Sequence, residues 1–359
     1  MKLKNLLIAL SFILTISACK KSDIAPAPDQ SNPVTPPVVT PYTPDNSFKI
    51  VAYMPSYKDP ETIDISKYKM ITHLFYAFLE INPSGDGSLN PLSQPKRFDI
   101  VKQRSIDSRV KFGISVSGSS ANFATLASSA TARTKFVTNV VAFAKNNNLD
   151  GVDVDWEYPS TSGTTPSGDN FTLLMKELSE ALHKVNKFLS AAVTPAVYAG
   201  GIRDGIKPEV YPYVDFFNIM QYDGQTYDTS NPNQHATYNM SVSSLDIWLN
   251  SKGLPKEKAV CGMPLYGREA FTISSTGAAI AGAAISYRNI EAAGADVNLN
   301  SATVTGKDCW FNGIAMIKQK TQLAKERANG IMFWEFSFDS NSSKSLIKAA
   351  NDQLGRNYN

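Results

Sequence analysis

The sequence predicts one α/β domain, a single closed (β/α)8 barrel of the TIM type. Three observations lead there. Eight short apolar runs alternate with segments of helical periodicity between residues 49 and 354. Most of the runs are near-continuous in aliphatic and aromatic residues, as strands covered on both faces must be. No glycine-rich phosphate loop follows the first run, which removes the main support for an open doubly wound sheet.

Taken in order, the chain opens on a targeting segment. Lys2 and Lys4 give a positive start, and the apolar run 6–16 is too short for a membrane span. The sequence Ile16-Ser17-Ala18-Cys19 resembles a bacterial lipobox, in which Cys19 is lipidated and becomes the first mature residue. Residues 1–19 are therefore read as a lipoprotein signal peptide. Residues 20–46 are rich in proline (Pro26, Pro28, Pro33, Pro36, Pro37, Pro41, Pro44) and poor in large apolar groups, which predicts a semi-stiff disordered tether. The expected location is outside the cytoplasm, anchored by lipid to a bacterial membrane, either the outer membrane or the cell surface. No membrane contact beyond that anchor is expected.

The barrel is expected over 47–356. Its strands are read at 49–54, 71–79, 110–116, 151–156, 189–193, 216–221, 259–265 and 331–336. Phe136, Val140 and Phe143 carry helical spacing within 131–146, and Phe171, Leu174, Leu178 and Leu182 do so within 170–187. Asp169 is placed to cap the latter helix. Further helices are read at 241–252, closed by Gly253, at 310–328 and at 343–354. A net charge of +3 gives no reason to expect nucleic acid. His73, His183 and His235 are too far apart for a metal-ligand pattern, and neither metal nor cofactor is implied. Cys261 and Cys309 are left open between a disulfide and two small buried side chains.

The chemistry concentrates in Leu149-Asp150-Gly151-Val152-Asp153-Val154-Asp155-Trp156-Glu157-Tyr158-Pro159. Strand alternation puts Asp153, Asp155 and Glu157 on one face and Val152, Val154 and Trp156 on the other. Asp150 is out of phase and is given a structural role. Three carboxylates so close cannot all ionise, so some stay protonated. In a barrel of this kind the chemistry sits at the C-terminal strand ends. Those ends carry Tyr53, Phe78, Ser117, Met220, Tyr222, Asp223, Tyr266, Arg268 and Trp334, aromatic groups mixed with a few polar ones. Aromatic faces pack on sugar rings while acids and amides bond hydroxyls, which fits a carbohydrate cleft.

The acidic run resembles the Asp-x-x-Asp-x-Asp-x-Glu motif of glycoside hydrolase family 18, the chitinases and their relatives. The resemblance covers residues 48–351. It implies that Glu157 is the acid, that Asp155 orients the substrate's 2-acetamido group and exchanges a proton with Asp153, and that Tyr222 holds the acetamido oxygen. It implies cleft positions for Tyr53, Phe78, Met220, Asp223, Tyr266, Arg268 and Trp334, with Trp334 as the floor under the sugar. It also implies non-proline cis peptides at Ala77–Phe78, Glu157–Tyr158 and Trp334–Glu335. Two departures stand out: Ser117 replaces a glycine, and Ser119 stands where the family often has tryptophan. Residues 271–307, between strands seven and eight, are short and rich in Ala, Gly and Ser, so a reduced insertion and a shallow cleft are expected. The implied reaction is substrate-assisted, retaining hydrolysis of chitin or chitooligosaccharides by a monomer. The alternatives are an endo-β-N-acetylglucosaminidase acting on the chitobiose core of N-glycans, and a chitinase-like lectin that binds without cutting.

Overall fold

A computed structural model describes residues 41–163 and 166–358. The signal segment, Cys19 and the tether up to residue 40 lie outside the described residues. Eight parallel strands close into a barrel: β1 (Lys49–Pro55), β2 (His73–Glu80), β3 (Lys111–Ser117), β4 (Gly151–Asp155), β5 (Phe188–Val193), β6 (Phe216–Ile219), β7 (Ala259–Pro264) and, after an insertion, β14 (Gly330–Trp334). Neighbours in sequence are neighbours in the sheet, and β1 pairs with both β2 and β14 to seal it. The helices between them are α1 (Pro95–Asp107), α2 (Ser120–Ser128), α3 (Ala130–Asn146), α4 (Gly168–His183), α5 (Gly201–Gly205), α6 (Tyr238–Leu245), α8 (Ile314–Arg327) and α9 (Leu346–Leu354).

Alternation along the strands makes two apolar cores. One lies between sheet and helices and holds Val152, Val154, Trp156, Leu174, Leu178 and Phe136. The other fills the barrel lumen with Val51, Tyr53, Phe75, Phe188, Phe216 and Met332. The continuous apolar character of the strands follows from this double burial.

The insertion is small, but it folds. Strands β8 (Tyr266–Glu269), β11 (Ala284–Ser286), β13 (Lys307–Trp310) and β12 (Ser301–Val304) form an antiparallel sheet. It carries a hairpin of β9 (Thr272–Ile273) with β10 (Ala279–Ile280) and one helix, α7 (Tyr287–Ala292). Cys261 and Cys309 are both free and buried.

Three expectations need correction. Asp169 does not cap α4. Ser167 takes that position, its oxygen accepting the amide of Ser160, and Asp169 lies in the first turn paired with Lys207. Helix α8 starts at Ile314 rather than 310, because Trp310 completes strand β13. The tether does not extend to residue 46. Tyr42 stacks on His183 with centroids 3.9 Å apart, and its hydroxyl donates to Asp215 at 3.0 Å. Asp45 pairs with Lys111 at 2.7 Å and offers its carbonyl to the buried ammonium of Lys49 at 2.8 Å. Residues 41–46 thus form a strap across the N-terminal ends of the strands, the floor of the barrel. Arg356 and Tyr358 border a hollow on that same floor together with Asp45 and Thr72.

Candidate active site

Strand β4 aims Asp153 and Asp155 into the lumen and Val152 and Val154 towards the helices. Trp156 anchors the strand end from outside. It stacks on Phe123 at 5.1 Å, and its Nε1 donates to Ser120 Oγ at 2.9 Å. Asp150 accepts the amide of Phe112 at 2.7 Å, a structural tie to β3 at the start of the strand.

The acids then rise through the lumen in steps. Asp153 is fully buried. Its Oδ2 accepts Tyr53 OH at 2.9 Å and Ser115 Oγ at 2.8 Å, and its Oδ1 accepts Ser190 Oγ at 2.6 Å and Asn218 Nδ2 at 3.2 Å. Ser115 and Ser190 are its register partners on β3 and β5. Burial still holds its pKa above the usual carboxylate range, against the pull of these donors. Asp155 stands next in line. Desolvation, then the charges of Glu157 and Asp153, push its pKa well up. Its Oδ1 is buried with no hydrogen-bond partner among the described residues. Glu157 opens onto the cleft. Desolvation by the surrounding walls raises its pKa, Asp223 adds to the rise, and the Tyr158 hydroxyl opposes it. Both groups at its upper end are therefore biased towards their protonated forms, Asp155 the more strongly.

Above the acids is a cavity of about 250 Å³ bordered by Tyr53, Phe78, Asp155, Glu157, Met220, Tyr222, Asp223 and Trp334. Phe78 reaches it through a β-bulge in β2, a device that re-aims a side chain. Its ring stacks on Trp334 at 5.8 Å. Tyr222 OH makes one contact at bonding distance among the described residues, to Met332 Sδ at 3.8 Å. A second hollow of about 410 Å³ shares Tyr158, Tyr222 and Asp223 and continues to the exposed Tyr198 and Ile202. Among the described residues no His, Cys, Asp or Glu cluster is arranged to hold a metal ion.

The sequence model described as "Glycosyl hydrolases family 18" matches residues 49–339, which span the barrel and its acidic strand. The chain belongs to glycosyl hydrolase family 18. It is 27% identical over 345 residues to Chitinase 1 of Aphanocladium album, covering 79% of each chain. Of several longer relatives it spans less than half the length. Its fold matches a chitinase from Bacteroides thetaiotaomicron with a TM-score of 0.71 and 24% identity, covering 86% of this chain and 96% of that one. It also matches a chitinase-like agglutinin from Robinia pseudoacacia with a TM-score of 0.69 and 25% identity, covering 85% and 99%.

Within this family 18 barrel the residues singled out from sequence fall into three groups. Glu157, Asp155, Tyr222, Tyr53, Phe78, Met220, Asp223 and Trp334 border the cavity. Asp153 lies beneath it. Tyr266 and Arg268, expected to line the cleft, stand behind Asp223 instead and grip its carboxylate. Tyr266 OH reaches Oδ1 at 2.7 Å, and Arg268 reaches Oδ1 and Oδ2 at 2.6 and 2.7 Å. The peptides Ala77–Phe78, Glu157–Tyr158 and Trp334–Glu335 are cis. Ser117 borders the cavity, while Ser119 caps α2 by accepting the Asn122 amide at 3.2 Å. Sequence reading missed Ala192 and Met332 in the wall and Ser115, Ser190 and Asn218 under Asp153. The last was findable, since Phe216, Asn218 and Met220 alternate on one face of strand six. The two serines were not, because they depend on strand register.

Proposed function

We propose that the protein is a chitinase. It cleaves β-1,4-linked N-acetylglucosamine chains with the substrate's own 2-acetamido oxygen as nucleophile. The observation that carries this reading is Asp155 Oδ1, buried at the base of the cavity with no partner among the described residues, beside Tyr222 OH, whose one bond there goes to the weak acceptor Met332 Sδ. A buried polar atom without a partner is costly and rare in a folded protein. An acetamido N–H bonded to Asp155 and its carbonyl oxygen bonded to Tyr222 would satisfy both at once. Glycosidases that use an enzyme nucleophile set a second carboxylate across the bond, at ~5 Å for retention. Here the acids lie along one strand and approach from one side, which suits substrate assistance.

In this mechanism Glu157 protonates the leaving oxygen and afterwards activates water. The rise in its pKa favours the protonated form that this role needs. Asp155 bears against the positive charge that forms on the oxazolinium ring. Asp153, held by its four donors, takes up or returns the proton that Asp155 exchanges. Trp334 and Phe78 supply the apolar surface under the sugar.

The test is hydrolysis of chitotetraose and chitohexaose, with an N-glycopeptide in parallel and Glu157→Gln as control. Oligosaccharide cleavage that falls at least 100-fold in the control is the expected result. A control within a few-fold of the parent sinks the assignment of Glu157. Cleavage of the glycopeptide alone favours the endo-β-N-acetylglucosaminidase. Binding without cleavage favours a lectin, a reading supported by the likeness to the agglutinin.

A further inference from the structure

His235 lies outside the cavity wall, yet it touches Asp223, Gly224 and Tyr266 at the Asp223 corner. It is completely buried in the loop between β6 and α6. Its Nε2 lies 3.2 Å from the carbonyl oxygen of Tyr266 on β8. A carbonyl only accepts, so Nε2 carries a proton in either charge state of the ring. Nδ1 is then determined. In the neutral ring it accepts, and the Asp223 amide donates to it at 3.4 Å. In the charged ring it donates, and Asp223 Oδ1 is 3.2 Å away. The backbone of the same residue closes the bracket, for His235 O accepts the Gly224 amide at 2.8 Å. Asp223 therefore has a partner in His235 whichever form the imidazole takes.

The bracket matters because Asp223 is held in an unusual conformation. Its φ is +60°, in the left-handed region, which is uncommon for a non-glycine residue although Asp enters it more readily than most. That turn points the carboxylate to Arg268 and Tyr266 on one side and leaves it bordering the cavity on the other. It also fixes the exit of the chain directly after Tyr222. We infer that His235 is a positioning residue: it locks the left-handed turn at Asp223 and so sets the sugar-facing positions of Asp223 and Tyr222. The ionisable groups that face it are Asp223 after β6, Arg268 and Tyr266 on β8, and Lys320 on α8, whose Nζ bonds the adjacent Ala236 carbonyl at 2.8 Å. Burial lowers the pKa of His235, and the Asp223 carboxylate opposes that fall.

The inference deepens the proposed function and rests on it for the identity of the sugar, but its test separates the two. His235→Leu fills the site without either nitrogen. His235→Asn restores an acceptor near the position of Nδ1. Both are made in the full chain, alone and with Asp223→Asn. Affinity for chitotetraose is measured by calorimetry in the Glu157→Gln background, and kcat and KM in the active background. The expected result is a Kd and KM raised about tenfold in His235→Leu, with most of the loss recovered in His235→Asn. Adding Asp223→Asn to His235→Leu should cost little more than either alone, because both act at one corner. Additive losses, or an asparagine variant as impaired as the leucine variant, overturn the inference. A crystal structure of His235→Leu serves as a readout that needs no ligand. Asp223 unchanged at positive φ and still paired with Arg268 also overturns it. If the parent protein neither binds nor cleaves chitotetraose, the chitinase reading falls, and that crystal structure alone decides the role of His235.

Discussion

A carboxyl that is buried beside two others opposes folding whenever it is ionised. Asp155 is in that position, with desolvation first and its two acidic neighbours next raising its pKa. The sign follows from linkage. Below the unfolded value of ~3.9 the group is protonated in both states and costs nothing, and above its raised folded value the full penalty applies. Asp155→Asn is therefore expected to raise Tm at pH 8, with the gain vanishing as pH falls to 4, while turnover is lost. Melting curves for both proteins at the two pH values check this. Asp223 gives a second handle. Its negative charge contributes to the raised pKa of Glu157. Asp223→Asn should let Glu157 ionise more easily and move the alkaline limb of the kcat/KM profile to lower pH. An unmoved or higher limb would show that the charge of Asp223 is not felt by the acid. At this scale the sequence was informative because strand periodicity alone orders Asp153, Asp155 and Glu157. It was silent on His235, whose role arises from a fold that brings residue 235 against residues 223 and 266.

Strand β4 depends on an absent side chain as much as on its acids. Gly151 opens the strand, and a Cβ placed there would lie 2.3 Å from Phe188 Cδ2. The Phe188 ring packs against His73, Phe75 and Phe216 in the lower lumen. Gly151→Ala should thus destabilise by about 1–3 kcal/mol through overpacking. Urea unfolding measures it, and an unchanged midpoint would show that the ring shifts freely. The strands were legible in the sequence because burial on both faces makes each a solid apolar run. Their ends were less so, and the insertion least. Residues 271–307 are poor in large apolar groups, and their strands are two to four residues long. Such short pieces are defined by their pairing, β9 with β10, β11 with β8 and β12 with β13, which no local pattern records.

For the whole molecule, the strap at residues 41–46 is an integral part of the barrel. It satisfies Lys49 from below and links the floor ends of β1, β3 and the β6 approach through Asp45 and Tyr42. A chain beginning at residue 47 loses the Tyr42–His183 stack, the Tyr42–Asp215 bond and one of the two carbonyls around the Lys49 ammonium. Compared with a chain beginning at residue 41, it should be less stable by about 2 kcal/mol, since a buried ammonium short of an acceptor bears a desolvation penalty. Scanning calorimetry on the two fragments tests this, and equal Tm values would mean that the strap merely rests on the floor. The proline content of residues 20–46 suggested a spacer throughout, and Tyr42 and Asp45 in that stretch tie its last six residues to the barrel.

The placement of that strap also decides how the molecule is held. Residues 41–46 and residues 356–358 both meet the barrel at the floor, and the cavity opens at the opposite rim. A grip on either end is therefore a grip on the stem of a cup. A bead or a fusion partner joined at residue 41 or residue 358 meets the floor and leaves the opposite rim clear.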